Sequence, residues 1–235
     1  MPHGLSRRGF LHSASLGIAA TVAGPAALAA VDAEAADSAS ATPQRAMKLL
    51  VAGNRRWVTG QVQHPHQSIE RRDALSRTQR PFATIVSCMD SRVPPELVFD
   101  RGLGDLAVIR TGAQVLDGGV VLGSIEFGSG QLHTPLIFVL GHQRCGAVVA
   151  AIRTIESGGK APDHIQAVVE ALRPAYRAAK RQPGDLVDNM IRAHIELTVE
   201  RLKSDPPIER SIAHGELAIA GGYYSLDSGA VSIIA

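Results

Sequence analysis

The sequence predicts an α/β fold with a mainly parallel central sheet flanked by helices, and with a C-terminal hairpin that adds one antiparallel strand. Short apolar runs rich in β-branched residues alternate along the chain with longer stretches of helical spacing. Two of these runs, at 82–88 and 136–142, are predominantly apolar, which is typical of parallel strands buried on both faces. A chain of 235 residues, of which 45% are hydrophobic, is long enough for one sizeable domain with its own core.

The N-terminal 35 residues have the features of an export signal. Residues 6–11 resemble a twin-arginine motif, and a weakly apolar stretch follows them. We expect cleavage after Ala29 or Ala35, a flexible linker over 36–42, a single catalytic domain over 43–235, and a periplasmic or otherwise exported protein. An uncleaved membrane anchor is the less favoured alternative, because serine, glycine and proline make the stretch too polar for a good transmembrane helix.

The charge balance argues against polyanionic partners. The formal net charge is +2, and removal of Arg7 and Arg8 with a signal cleaved after Ala29 leaves 22 basic and 22 acidic residues. A neutral mature protein has no electrostatic reason to bind nucleic acid or an anionic membrane. We therefore expect neither a nucleic-acid partner nor a stable membrane anchor.

The remaining elements follow from periodicity and from turn residues. The predicted helices span 43–60, 120–132, 145–157, 163–181 and 185–203, with a further short helix that starts at Pro94. The predicted strands span 82–88, 105–110, 136–142, 216–224 and 229–234, and the last two form the closing hairpin. Trp57 is expected to anchor the first helix on another element or on a partner subunit.

Three histidines outside the main motifs are not counted as sites. His64 and His66 flank a proline in a polar loop with no cysteine or carboxylate nearby, so we expect them to lie at the surface. His194 belongs to the helix predicted over 185–203 and is expected to be structural. No phosphate-binding loop pattern is present, so no organic cofactor is expected.

Two short motifs carry the chemistry of the chain. Residues 88–92 read Cys-Met-Asp-Ser-Arg and residues 142–146 read His-Gln-Arg-Cys-Gly, and they contain both cysteines of the protein. Cys88 and His142 end predicted strands, at the edge where open α/β sheets place their ligands, and Cys145 opens a helix. Two cysteines and one histidine leave one tetrahedral position free, which is typical of a catalytic zinc.

A disulfide is the structural alternative for two cysteines in an exported protein. Twin-arginine cargo folds before export, in a reducing compartment where thiolates can bind metal. Cys88 and Cys145 also lie beside other potential ligands, which a disulfide does not require. The metal site is therefore favoured, and a non-catalytic exported protein with a Cys88–Cys145 disulfide remains the alternative from a different functional class.

The pattern C-x-D-x-R followed by H-x-x-C resembles that of the β-class carbonic anhydrases. The resemblance covers most of residues 43–235, including the D-L-x-V-x-R segment at 105–110. It implies a lyase with one Zn²⁺ per chain that reversibly hydrates CO₂ to bicarbonate and a proton by zinc-hydroxide attack. It also implies a homodimer or higher homo-oligomer. A related hydrolase of CS₂ or COS shares the zinc ligands and remains an alternative.

Asp90 and Arg92 complete the expected site. An unpaired aspartate this close to zinc could occupy its fourth position, whereas a bidentate pair with Arg92 would hold the carboxylate away. Asp90 could then orient the zinc hydroxide, and the resemblance implies these same catalytic roles for both residues. The expected metal ligands are Cys88, His142 and Cys145, with Asp90 as a further ligand only in a closed state that some family members show.

The chain departs from the family pattern in two places. After Arg110 the family often has an Asn-Ala-Gly-Asn type sequence, where residues 111–114 here read Thr-Gly-Ala-Gln. Members with a regulatory bicarbonate site generally carry a tryptophan three residues before the first zinc cysteine, and that position here is Ile85. We do not expect that regulation, although Arg110, Tyr223 and Tyr224 remain.

Overall fold

The computed structural model describes residues 41–235. The expected signal peptide and residues 36–40 of the expected linker lie outside the described residues. The helices of the described part are α1 (Pro43–Val58), α2 (Ile69–Ala74), α3 (Pro95–Val98), α4 (Gly119–Gly130), α5 (Gly146–Glu156), α6 (Ile165–Ala179), α7 (Leu186–Lys203) and α8 (Pro206–Ala213). The strands are β1 (Ala83–Cys88), β2 (Leu106–Thr111), β3 (Leu136–His142), β4 (Ala218–Tyr224) and β5 (Val231–Ile233).

The five strands form one sheet in the order β2-β1-β3-β4-β5. β1, β2, β3 and β4 pair in parallel, and β4 pairs with β5 in an antiparallel hairpin. Cys88 lies opposite Thr111, and His142 lies opposite Tyr224, so the last residues of the parallel strands share one edge. The predicted fold class is confirmed.

Apolar side chains pack on both faces of the sheet. Because side chains alternate along a strand, Val86 and Cys88 face one side while Ile85 faces the other. The cluster around Val86 and Cys88 includes buried residues of α5, α6 and α7, and the opposite cluster includes buried residues of α1. Cys88 therefore points toward the layer in which α5 begins with Cys145.

Every predicted helix and strand is present, with bounds that differ by a few residues. Two short helices, α2 and α8, were not predicted. Ser68 caps α2 by accepting from the backbone N–H of Arg71, and Asp205 caps α8 by accepting from Ile208. With 6 and 8 residues, these helices carry cap residues but too little apolar periodicity to be recognised.

α1 is fastened to the C-terminal hairpin. The Asn54 side chain donates to the Gly229 carbonyl at 2.8 Å and accepts from the Val231 N–H at 2.9 Å. Trp57 Nε1 lies 3.2 Å from the hydroxyl of Tyr224, so this tryptophan anchors α1 on another element of the same chain. Within residues 41–235, no helix combines the length and apolar character that crossing a bilayer requires.

The loop of His64 and His66 has carboxylate partners, although none lies beside it in the sequence. His66 Nδ1 lies 2.7 Å from a carboxylate oxygen of Asp105, and the backbone N–H of His64 donates to Asp100 at 3.0 Å. Both aspartates are buried and lie more than 35 residues further along the chain, so local sequence could not reveal them. They pin the loop to the segment before β2.

Candidate metal centre

Three potential metal donors converge at the carboxyl edge of the sheet. Cys88 ends β1, His142 ends the neighbouring strand β3, and Cys145 precedes the first turn of α5. Their donor atoms all lie within 4.8 Å of one another, and this is the only such group of three among the described residues. All three side chains are buried, with at most 4% of any residue exposed.

A tight turn between β3 and α5 brings Cys145 back toward His142. Arg144 adopts a left-handed conformation with φ 52°, which reverses the chain within two residues. The hairpin holds this turn in place: the Gln143 N–H donates to the Tyr224 carbonyl at 2.8 Å, and Arg144 makes two hydrogen bonds to the Asp227 carboxylate at 2.6 and 3.0 Å. The end of β4 and the turn that follows it thus support the spacing of His142 and Cys145.

Both cysteines are free thiols, and their sulfur atoms lie 3.9 Å apart. Two sulfurs bound to one tetrahedral zinc at about 2.3 Å each would be separated by about 3.8 Å. The spacing therefore fits shared metal ligation, and the disulfide alternative has no counterpart in the structure.

One ring nitrogen of His142, Nε2, lies near the thiols and has no hydrogen-bond partner among the described residues. Its Nδ1 lies 3.0 Å from the carbonyl oxygen of Gln143, which can only accept a hydrogen bond, so Nδ1 carries the proton and Nε2 keeps its lone pair. Nε2 is buried and has no hydrogen-bond partner among the described residues. A buried polar atom of this kind is costly unless a ligand satisfies it, and a metal-bound imidazole with its other nitrogen on a carbonyl is the usual arrangement.

The two thiols share a proton unevenly. The hydrogen bond from Cys145 lowers the pKa of Cys88 well below its ordinary value, and the backbone N–H of Ala113, 3.3 Å from the sulfur, adds to this effect. The same hydrogen bond and burial raise the pKa of Cys145. Two buried thiolates this close repel each other, so both ionise only when a cation lies between them. The donor set fits Zn²⁺.

Asp90 and Arg92 form the bidentate pair expected from the sequence. Arg92 Nε and Nη2 donate to the two carboxylate oxygens at 2.9 and 2.7 Å, and the Arg92 backbone N–H adds a bond of 2.9 Å. These bonds lower the pKa of Asp90 to about 2, so the carboxylate is ionised at neutral pH. One of its oxygens lies 3.9 Å from Nε2 of His142.

Sequence reasoning missed two contacts to the segment 88–90. A 3₁₀ turn at Gly112–Gln114 aims the Ala113 N–H at Cys88, and Ala113 adopts φ 52° to do so. Arg110 donates to the carbonyl oxygens of Cys88 and Asp90. The signal available in the sequence was position, because Arg110 lies near the end of β2 and Ala113 lies just after it, and β2 is the parallel neighbour of β1.

Arg110, Tyr223 and Tyr224, which the family uses where it has a regulatory bicarbonate site, make other contacts here. Arg110 bonds the backbone of residues 88 and 90, and the Tyr224 hydroxyl pairs with Trp57. The ring of Tyr223 lies beneath the guanidinium of Arg192, 4.1 Å from its central carbon.

Comparisons with known proteins support the assignment of this cluster as a metal site. A family model described as "Carbonic anhydrase" matches residues 83–231. Carbonic anhydrase 2 of Mycobacterium tuberculosis is 44% identical over 188 residues, covering 80% of this chain and 90% of that protein. The carbonic anhydrase of Mycolicibacterium smegmatis is 40% identical, covering 83% and 94% respectively.

The fold has solved counterparts as well. A structure described as one of two tetrameric β-carbonic anhydrases from Sordaria macrospora superimposes with a TM-score of 0.64 at 21% identity, covering 78% of this chain and 93% of that one. The matched family segment contains both metal motifs and the whole parallel sheet. The chain therefore belongs to the carbonic anhydrase family, and its fold matches that of a solved β-carbonic anhydrase.

Proposed function

We propose that this protein is a zinc-dependent carbonic anhydrase that interconverts CO₂ and bicarbonate. The observation that carries the proposal is the cluster of Cys88, His142 and Cys145 beside an ionised, arginine-paired Asp90. The 44% identity to a named carbonic anhydrase over most of the chain supports the same reaction.

Cys88, Cys145 and Nε2 of His142 would hold the zinc. When bound, zinc supplies the Lewis acidity that makes a water molecule nucleophilic near neutral pH. The three side chains bring two negative charges, so we expect less acidification than three neutral histidines give, and activity that rises toward alkaline pH.

Asp90 would orient the attacking water. Because its carboxylate is ionised, it can only accept a hydrogen bond, and the O–H that donates to it leaves an oxygen lone pair free for the carbon of CO₂. Arg92 holds both carboxylate oxygens and keeps them from competing for the open metal position. The products are bicarbonate and one proton, which passes to solvent or buffer.

The test is zinc content together with stopped-flow CO₂ hydration of the purified protein from neutral to alkaline pH. We expect about one zinc per chain and turnover that rises with pH and is lost on chelation. Zinc-loaded protein that fails on CO₂ but hydrolyses CS₂ or COS would contradict the proposal and favour the related hydrolase.

Export is a second part of the proposal. The twin-arginine pattern at residues 6–11 and the small residues at Ala29 and Ala35 support transport of the folded, metal-loaded protein. Replacing both Arg7 and Arg8 by lysine should retain the protein inside the cell with its signal attached. Equal export of this variant and the parent, measured by fractionation and N-terminal sequencing, would refute this route.

A homo-oligomer is the third part. β2 is an edge strand of the sheet whose apolar residues are only partly buried, and α4 leaves Val120 85% and Phe127 56% exposed. Exposed apolar surface next to an open strand edge favours pairing with a second copy. Sedimentation at micromolar concentration should give at least a dimer, and Val120→Glu should weaken it. A parent protein that sediments as a monomer would contradict this part.

A further inference from the structure

The side chain of Arg110 spans two peptide groups of the segment that carries the chemistry. Arg110 lies near the end of β2, opposite Ser87 of β1, and its partly buried side chain extends past the end of the strand. Nε donates to the Cys88 carbonyl at 2.9 Å, and Nη2 donates to the Asp90 carbonyl at 2.5 Å. One guanidinium therefore fixes the backbone on both sides of Met89.

These two bonds act where β1 pairing ends. Up to Cys88 the segment is held by the ladder to β2, and the Met89 N–H adds one bond of 2.9 Å to the Thr111 carbonyl. Beyond that point Asp90 has left the sheet. The Asp90 carbonyl accepts from the Val93 N–H at 3.1 Å within the same turn, and the bond from Arg110 ties this carbonyl to β2.

Asp90 is thereby held at both ends. Its carboxylate is bound by Arg92, which is itself more than half exposed, while its peptide carbonyl is bound by the partly buried Arg110. An exposed ion pair alone is a weak constraint, because both side chains can move together with the loop. The bond from Arg110 to the Asp90 carbonyl adds a second anchor, which limits the directions in which the carboxylate can point.

Lysine cannot reproduce this contact. The guanidinium has separate N–H groups in a rigid plane, so it can reach two carbonyls at once, whereas an ammonium is a single point on a flexible stem. The charge also strengthens both bonds, because hydrogen bonds from an ionised donor exceed those between neutral groups.

We infer that Arg110 is a positioning residue for the reaction, which sets the distance between the Cys88 sulfur and the Asp90 carboxylate by clamping the backbone of both. The inference rests on the proposed function for its catalytic consequence, but the positional effect can be measured separately.

The experiment compares Arg110→Lys and Arg110→Ala with the parent, each with zinc and with cobalt(II) in its place. We expect about one zinc per chain, a fall in kcat of at least about tenfold, and a shift in the visible absorption bands of the cobalt form, which report on metal geometry. Guanidinium ion at millimolar concentration, far below the denaturing range, should restore part of kcat and the bands of Arg110→Ala.

Arg71 provides a matched control. It is buried and also donates through Nε to a backbone carbonyl, that of Leu103, at 3.0 Å. Arg71→Lys should lower thermal stability but leave kcat and the cobalt spectrum at parental values.

Two results would separate the possible failures. Arg110 variants with parental kcat and parental cobalt bands would overturn the positioning role even if the parent hydrates CO₂. A parent without CO₂ turnover, but with cobalt bands that shift in Arg110→Ala and return with guanidinium, would refute the proposed reaction and support the positioning role.

Discussion

The carboxylate of Asp90 approaches within 3.9 Å of Nε2 of His142 while both of its oxygens remain bound by Arg92. The carboxylate is thus close enough to serve the metal position and is held back from filling it. This arrangement gives Asp90 an orienting role and makes Arg92 the group that preserves it.

Asp90→Ala should retain zinc and lose most CO₂ turnover, because Asp90 is not one of the three buried donors. We expect kcat to fall by about a hundredfold, the scale of a misoriented nucleophile. Stopped-flow rates and metal analysis on the same sample test this. Asp73→Asn, at a carboxylate whose side chain is 66% exposed, is the control. An Asp90→Ala rate equal to that of the parent would remove the orienting role.

Cys145→Ser should lose much of the bound zinc. Serine preserves the shape of the side chain, but its hydroxyl stays protonated and is a poor ligand for zinc beside a thiolate and an imidazole. Competition with a chelator should show zinc affinity reduced by more than about tenfold, since the loss of even an outer partner of a metal ligand costs about 10–100-fold. Parental affinity in this variant would exclude Cys145 as a ligand.

His194 should make the fold acid-sensitive. Burial lowers its pKa to about 4 from the ordinary value near 6.5, so the native state keeps the ring neutral while the unfolded chain protonates it. The stabilisation is complete above about pH 6.5 and is lost as the pH falls toward 4, by up to about 3 kcal/mol in the free energy of unfolding.

Urea unfolding of metal-free parent and His194→Gln at pH 7 and pH 4 tests this difference. The parent should lose more stability than the variant over that interval. His214→Gln, at an exposed histidine, should behave like the parent. Identical acid losses in parent and His194→Gln would show that the buried ring does not titrate as stated.

Ala113→Gly should leave stability unchanged or raise it by up to about 1 kcal/mol. Ala113 has φ 52°, where a Cβ costs about 1–2 kcal/mol, and this outweighs the flexibility that glycine adds to the unfolded chain. Ala175→Gly removes an equally buried methyl group from the interior of α6 and should cost at least about 1 kcal/mol. Urea unfolding compares the two, and an equal loss in both variants would mean that residue 113 carries no backbone strain.

The sequence was sufficient for the parts of the site that end regular elements. Cys88 and His142 close two apolar strands, and the carboxyl ends of parallel strands meet at one edge, so their proximity followed from position alone. Cys145 followed from its spacing to His142. The Asp90–Arg92 pair is local in sequence and was equally accessible.

The missed features depend on contacts between distant segments. Arg110 reaches residues 88 and 90 only because the strand register places it opposite Ser87. The sequence of β2 alone does not predict that register. The carboxylate beside His66 comes from Asp105, 39 residues away. The turn at Gly112–Gln114 places alanine in a conformation that usually favours glycine, so residue preference argued against it.

The dependence of the metal-bearing turn on the C-terminal hairpin imposes an order on biosynthesis. Gln143 is bonded to Tyr224, and Arg144 to Asp227, so His142 and Cys145 gain their final spacing only after the chain has been synthesised past residue 227. A ribosome-bound chain that ends before β4 would carry all three donors without the support that sets their geometry. We therefore expect a chain that ends before β4 to bind zinc more weakly than the full chain.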